Sequence, residues 1–335
     1  MKRIVAAVLV FSACNPTPPV SPDPNQDSGV VATEMDAGTD AGTDAGNSIE
    51  DAGVDAGTAD AGVDAGSYVP DPLIVARPYN AVVPVGYTPS APTPLVVLLH
   101  GYTASGATQE AYFQLSPVAQ SRTFLLALPD GTGPTGGKFW NATDACCAFG
   151  QQVDDVAYIT ALIHDMQARF NVDPKRIFLV GHSNGGFMSH RMACDRSELI
   201  AGIVSLAGAV WNDPARCTPT SPVNVLQVHG TLDAVIQYNG GSAVVGQPPY
   251  PGAETTVATW AQKNNCTGSM LQSIGGDLDI VADLPFSETQ REAYTGCPSG
   301  AAAELWRIRG GSHVPVFNGD WGNTIYNWLM AHPKP

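Results

Sequence analysis

"RIFLVGHSNGGF", residues 176–187, decides the fold. It opens as an apolar run of strand length and stops at a serine fenced by Gly181, Gly185 and Gly186. A helix-like stretch, "NGGFMSHRMA" (184–193), follows at once. A serine on so sharp a strand-to-helix turn has other chain segments close on both sides, so the residues two before and two after it must be small. Gly181 and Gly185 occupy those positions. The turn also leaves Ser183 at a helix N-terminus, where the backbone N–H of Asn184 points outward with positive partial charge. An N-cap serine is the plainer reading, but the strand–turn–helix setting favours an exposed nucleophile with an oxyanion donor beside it.

Outward from this stretch, short apolar runs ending in turn residues recur: "PLVVLLHG" (94–101), "FLLALPDG" (124–131), "GIVSLAGA" (202–209), "VNVLQVHG" (223–230) and "ELWRIRGG" (304–311). Each reads as a buried strand. Helical patterns lie between them, most clearly Val156, Ile159, Ile163, Met166 and Phe170 at steps of three and four. The opening stretch "LIVARPYNAVVPV" (73–85) reads as a hairpin. Strands alternating with helices predict an α/β fold with a mostly parallel central sheet flanked by helices on both faces. Chemistry in such sheets gathers at the carboxyl ends of the strands.

Charge divides the 335 residues unevenly. The net charge is −15, yet residues 15–66 hold eleven acids and no Lys or Arg. Removing these acids and the two cations of the leader leaves −6 on residues 67–335. No basic cluster marks a nucleic-acid partner. The acidic segment repeats Asp-Ala-Gly with scattered apolar residues, which cannot offset the entropy of ordering, so 15–66 reads as a disordered tether. Its reach as a neutral flexible coil would be about 40 Å, and more with its charge. Ahead of it, "MKRIVAAVLVFSAC" (1–14) has two cations, a short apolar core and small residues before Cys14. The core is too short to span a bilayer and reads as a signal peptide. It resembles a bacterial lipoprotein signal in which Cys14 is acylated, although Phe11 departs from that pattern. Secretion without lipid is the alternative. The domain expectation is therefore signal 1–14, tether 15–66 and catalytic domain 67–335.

With Cys14 assigned to lipid, six cysteines remain: Cys146, Cys147, Cys194, Cys217, Cys266 and Cys297. An even number in an exported domain suits three disulfides. Neighbouring cysteines bridged to each other would be strained, so Cys146 and Cys147 are each expected to pair elsewhere. No Cys-x-x-Cys pair suggests a metal site.

A nucleophilic serine needs an imidazole base and a carboxylate to orient it. "VNVLQVHGTLDAVI" (223–236) supplies Asp233 just past a strand end, and "ELWRIRGGSHVPVF" (304–317) supplies His313 after the last strand. Asp277, Asp279 and Asp283 lie in an insertion without such a strand before them. His100 and His229 read as loop holders, His182 as pointing away from the nucleophile, His164 and His190 as helix residues, and His332 as following the last helix. The second oxyanion donor belongs in the loop of "VVLLHGYTASG" (96–106), with Tyr102 N–H first and Thr103 as the fallback. The Tyr102 side chain either lines the pocket or faces solvent.

Together these residues resemble the α/β-hydrolase superfamily, and within it the secreted branch of feruloyl and acetylxylan esterases and polyhydroxybutyrate depolymerases. "HGYTASG", "LPDGTG", "FWNATDACC", "VDDVAYITALI", "VDPKRIFLVGHSNGGFMSHRMAC", "HGTLDAVIQYNGG" and "GGSH" carry the resemblance over residues 95–328. It implies a Cys266–Cys297 disulfide and a serine carboxylesterase with a Ser183, Asp233 and His313 triad, no metal and no organic cofactor. The expected partner is an ester-bearing polymer met by a monomer whose only membrane contact is its lipid anchor. Feruloyl or acetyl esters of plant polysaccharide come first, polyhydroxybutyrate second. A serine peptidase and a non-catalytic polymer-binding lipoprotein are the other readings. Many relatives follow the histidine with Trp-Pro-Gly where this chain has "VPVFNGDW" (314–321), which bears on substrate identity. Trp140, for stacking on substrate or for packing, and Thr103 complete the candidate contacts.

Overall fold

The computed structural model describes residues 68–133, 137–148, 150–243 and 246–335. The signal peptide, Cys14 and the tether lie outside the described residues. In chain order the strands are β1 (Asn80–Val82), β2 (Thr93–Leu99), β3 (Leu125–Leu128), β4 (Val172–His182), β5 (Gly202–Leu206), β6 (Asn224–Gly230), β7 (Gly240–Gly241), β8 (Tyr250–Pro251), β9 (Gln272–Ser273), β10 (Thr289–Ala293) and β11 (Ala302–Ile308). The helices are α1 (Pro72–Ala76), α2 (Gly106–Phe113), α3 (Leu115–Arg122), α4 (Asp155–Arg169), α5 (Asn184–Asp195), α6 (Ala253–Lys263) and α7 (Trp321–Ala331).

Nine strands form one sheet in the order β1-β3-β2-β4-β5-β6-β11-β10-β9. The contiguous block from β3 to β11 is parallel. The edge strands β1, β10 and β9 run antiparallel to their neighbours. A parallel block must be covered on both faces, and alternate residues of β2 show the cover. Leu95, Val97 and Leu99 enter one core with Tyr158 of α4, Phe187 of α5 and Trp260 of α6. Val96 and Leu98 enter the other with Phe113 of α2, Leu115 of α3 and Trp321 of α7. This is the α/β architecture that the alternation of apolar runs predicts.

Two expectations fail. Residues 73–85 do not form a hairpin: Asp71 accepts a hydrogen bond from Leu73 N–H and Pro72 starts the short helix α1, while β1 pairs with β3 instead. Proline at the first helical position and an acidic cap are helix-start signals that outweigh the apolar run. Second, Cys146 and Cys147 are bonded to each other. Their peptide bond is cis and their Cα atoms are 3.1 Å apart, against the expectation that each pairs elsewhere. Cys194 pairs with Cys217 and Cys266 with Cys297, the latter as the resemblance implies.

The α5–β4 contact is glycine-dependent. A Cβ on Gly181 would strike the Gly185 carbonyl, and one on Gly185 would strike the Leu99 carbonyl and lie 2.7 Å from that of His100. These are backbone atoms of α5 and of the carboxyl end of β2 and cannot yield cheaply. Helix propensity alone favours alanine by about 1 kcal/mol. Gly185→Ala should nevertheless lose about 2 kcal/mol or more in urea denaturation, because overpacking dominates. Gly319, with nothing within 4 Å of its Cβ position, should accept alanine within about 0.5 kcal/mol.

Candidate active site

Four strands of the parallel block deliver the site at their carboxyl ends. β4 ends in Ser183, whose backbone sits at φ 53° and ψ −119°, a region that non-glycine residues rarely enter. Its N–H donates to Leu206 O at 2.8 Å and its carbonyl accepts from Phe187 N–H at 2.9 Å. Asn184 is the first residue of α5, so its N–H has no partner within the helix. The side chain of Asn184 is fully buried. It accepts from Trp140 N–H at 2.7 Å and donates to Trp140 O at 2.9 Å, which locks the start of the helix.

β2 ends in the loop His100-Gly101-Tyr102-Thr103. The Cβ position of Gly101 is 3.6 Å from Ser183 Cβ, which places this loop directly against the elbow. His100 braces it. Gly131 N–H donates to His100 Nε2 at 2.8 Å, so the ring proton is on Nδ1 and donates to Gly101 O at 2.7 Å. Burial lowers the His100 pKa, in keeping with a neutral ring. Tyr102 packs half-buried against the core, beside Thr103 at φ 65°. Thr103 N–H is taken by Lys138 O at 2.8 Å, which removes it as the fallback oxyanion donor.

β6 and β11 deliver the polar pair. Asp233 Oδ2 accepts from His313 Nδ1–H at 2.8 Å, across 80 positions of sequence. That bond puts the imidazole proton on Nδ1 and leaves Nε2 as an acceptor. Asp233 Oδ1 accepts from Val235 N–H and Ile236 N–H, both at 2.9 Å. Burial alone would raise the Asp233 pKa. Hydrogen bonds from His229 and His313, with their charge, outweigh it and hold the carboxyl well below the usual range. Among the described residues no hydrogen bond joins the Ser183 hydroxyl to the imidazole. The ring of His182, the residue before Ser183, has its centroid 4.9 Å from that of His313.

Other candidates change role. Trp140 is 0% exposed and donates from Nε1 to His100 O at 3.0 Å, so it packs beneath the site and cannot stack on a substrate. His182 does not simply point away from the nucleophile: its Nε2–H donates to His313 O at 3.0 Å. Burial, then the neighbouring His313, push its pKa down to about 3, so the ring is a neutral donor. Tyr112 donates to Pro315 O at 2.8 Å. These two groups pin the histidine loop from beneath, and neither is visible as a partner in sequence, since both accept-sites are backbone carbonyls. Exposed apolar side chains flank the pair: Leu232 and Val235 on the acid loop, Val314 and Val316 on the histidine loop. Among the described residues no group of three or more His, Cys, Asp or Glu is placed to hold a metal, and no helix is long and apolar enough to cross a membrane.

Comparison with known proteins agrees with this geometry. Residues 94–239 match the family model described as the alpha/beta hydrolase fold. Over 237 residues the chain is 31% identical to feruloyl esterase B of Piromyces equi, covering 69% of this chain and 41% of that protein. It thus spans about two fifths of the length of that relative. It is 23% identical to feruloyl esterase D of Neurospora crassa over 251 residues, covering 72% of this chain and 74% of the relative. The acetyl xylan esterase from Aspergillus awamori superposes with a TM-score of 0.53 at 15% identity, covering 75% of this chain and 92% of that one, which is a likeness of fold. With its parallel sheet, its strained elbow serine and these matches, the chain has the α/β-hydrolase fold and is similar to the feruloyl esterases.

Proposed function

We propose that this protein is an exported serine carboxylesterase acting on feruloyl or acetyl esters of plant polysaccharide. The observation that carries the reading is the 2.8 Å Asp233–His313 hydrogen bond formed beside a serine held at φ 53°. In this reading His313 Nε2 takes the proton of Ser183 Oγ as the oxygen attacks the ester carbonyl. The tetrahedral oxyanion rests on the N–H groups of Asn184 and Tyr102. The imidazolium then protonates the leaving alcohol. Water, deprotonated by His313, cleaves the acyl-enzyme and restores the serine. Asp233 fixes the tautomer and stabilises the imidazolium. No step calls for a metal or organic cofactor.

The apolar side chains Leu232, Val235, Val314 and Val316 support an aryl acyl group, because they offer an apolar shelf beside the imidazole. The same shelf suits a polyester, so polyhydroxybutyrate is the second substrate reading. Three disulfides suit a chain that works outside the cytoplasm. The leader, the acylation of Cys14, the tether, the catalytic domain 67–335 and a monomeric state complete the proposal: an enzyme held at the bacterial envelope that reaches a substrate too large to enter the cell.

Purified protein should hydrolyse p-nitrophenyl acetate, and Ser183→Ala should lower kcat by about 10⁴-fold or more with an unchanged circular dichroism spectrum. Methyl ferulate, acetylated xylan and polyhydroxybutyrate assayed side by side identify the acyl group; a folded protein inert on all four would sink the esterase reading. Asp233→Asn should cost about 10⁴-fold in kcat by spoiling the tautomer. The pH dependence of stability gives an independent check on Asp233. Its folded pKa lies below the unfolded value, so its contribution is present above the ordinary carboxylate range and is lost as pH falls through the folded value. Urea titrations should therefore show the stability gap between wild type and Asp233→Asn narrowing from about pH 5 downward.

A further inference from the structure

Behind the acid lies a buried chain of polar side chains that the esterase steps leave unused. Trp260 Nε1 of α6 is 2.9 Å from His190 Nδ1 of α5. His190 Nε2 is 2.9 Å from Gln227 Oε1 of β6. Gln227 Nε2 is 2.9 Å from Gly208 O and 3.1 Å from His229 Nδ1. His229 Nε2 is 2.8 Å from Ile236 O and 3.4 Å from Asp233 Oδ2. Every member, from Trp260 to Asp233, is buried.

The direction of each bond follows from one fixed end. An indole N–H can only donate. His190 Nδ1 must therefore accept, and its proton is on Nε2. Gln227 Oε1 accepts that proton, which turns the amide so that Nε2 donates to Gly208 O and to His229 Nδ1. His229 Nδ1 is then an acceptor, and its one proton sits on Nε2. That proton faces Ile236 O and Asp233 Oδ2. The proton order of the whole chain is thus set from Trp260, and it places the His229 Nε2–H on Ile236 O at 2.8 Å with Asp233 Oδ2 3.4 Å from the same nitrogen. Burial pushes the His190 pKa down to about 4, in keeping with a single ring proton.

The acid needs that donor. A carboxylate has about four lone-pair sites. Two backbone N–H groups fill Oδ1, and His313 fills one site on Oδ2. His229 faces the last. Without it, a buried carboxylate would keep one unpaired site on the very oxygen that holds the catalytic imidazole, at the usual cost of an unmade buried bond.

We propose that His229 is a positioning residue for Asp233: ordered by Trp260, His190 and Gln227, it holds Oδ2 in line with His313 Nδ1. The proposal rests on the reading of Ser183, Asp233 and His313 as the triad. The chain's partners are invisible in sequence because Trp260, His190 and Gln227 come from three different elements.

His229→Leu removes the donor at similar bulk, and His229→Gln restores an amide N–H near the Nε2 position. The downfield proton resonance of the His313 Nδ1–H, assigned by its loss in His313→Ala, reports the Asp233 bond without any substrate. It should move upfield and broaden in the leucine variant and persist in the glutamine variant. On p-nitrophenyl acetate the leucine variant should lose about 10- to 100-fold in kcat with KM changed by less than about 3-fold, and glutamine should recover most of it. A leucine variant with the wild-type resonance, or a glutamine variant as impaired as the leucine one, would overturn the proposal. Should His229→Leu not fold, Trp260→Phe keeps the ring bulk and removes only the indole donor. Its His313 resonance should broaden as His190 samples both tautomers; a wild-type resonance there counts against the ordering. Failure of the esterase reading is separate, since it shows as a wild-type protein without turnover while the resonance still responds to His229.

Discussion

The structure is organised around a backbone conformation that its residue does not favour. Ser183 at φ 53° and ψ −119° costs on the order of 1–3 kcal/mol for a residue with a side chain. It persists because its surroundings leave no alternative. The strand before it lies between β2 and β5 in the middle of a parallel sheet, and the helix after it lies against that strand through Gly181 and Gly185. Two backbone hydrogen bonds, to Leu206 O and from Phe187 N–H, fix the turn from both sides. The serine hydroxyl is therefore aimed by the main chain and not by packing of its own. Everything else has to come to it, and it does so from strands that end at the same rim.

What arrives is electrostatically asymmetric. Asp233 is buried where a lone carboxyl would take up a proton. Donors from two backbone amides and two imidazoles reverse that tendency, so a full negative charge sits under His313. His182, packed against the same imidazole, is driven the other way and stays neutral. A protonated His182 would repel a protonated His313. In the proposed mechanism, keeping it neutral leaves His313 as the imidazole that carries the transferred proton, with the Asp233 carboxylate hydrogen-bonded to it.

Much of this was legible in the sequence, and the failures share a cause. The parallel strands announce themselves as apolar runs closed by Gly or Pro because strands buried on both faces need apolar side chains at every position. Ser183, Asp233 and His313 are marked by falling just past such runs. Residues 73–85 misled because an apolar run of that length suits a strand as well as a one-turn helix, and only the Asp71-Pro72 start distinguishes them. The Cys146–Cys147 bridge runs against the expectation of strain between neighbouring cysteines, and no residue type signals a cis bond there. Of the two readings of Trp140, the packing one holds, and its partners His100 and Asn184 lie far away in sequence. His182 and His229 were assigned by position alone. His182 bonds a backbone carbonyl on another strand's loop. His229 holds Ile236 O of the following loop, as its place at a strand end suggests, while also lying 3.4 Å from Asp233. A pattern of residue types does not encode either the His182 bond or the Asp233 contact.

The histidine loop shows how such partners separate catalysis from recognition. Between β11 and α7 the chain has no regular structure, yet its backbone is tied down at nearly every step. Gly311 O accepts from Leu232 N–H, His313 O from His182, Pro315 O from Tyr112 and Val316 O from Ala282 N–H. Asn318 N–H donates to Ile280 O, and the Phe317 ring stacks on Trp321 at 3.7 Å. These bonds use main-chain atoms and the inward ring. They leave Val314 and Val316 exposed, as Leu232 and Val235 are on the acid loop. The loop is thus held through its own main-chain atoms, by the side chains of His182 and Tyr112 and by backbone N–H groups, while its exposed valines take no part in those bonds. A loop built this way can change what it recognises without displacing its histidine, which is why the departure from Trp-Pro-Gly to "VPVFNGDW" bears on substrate choice and not on the catalytic geometry.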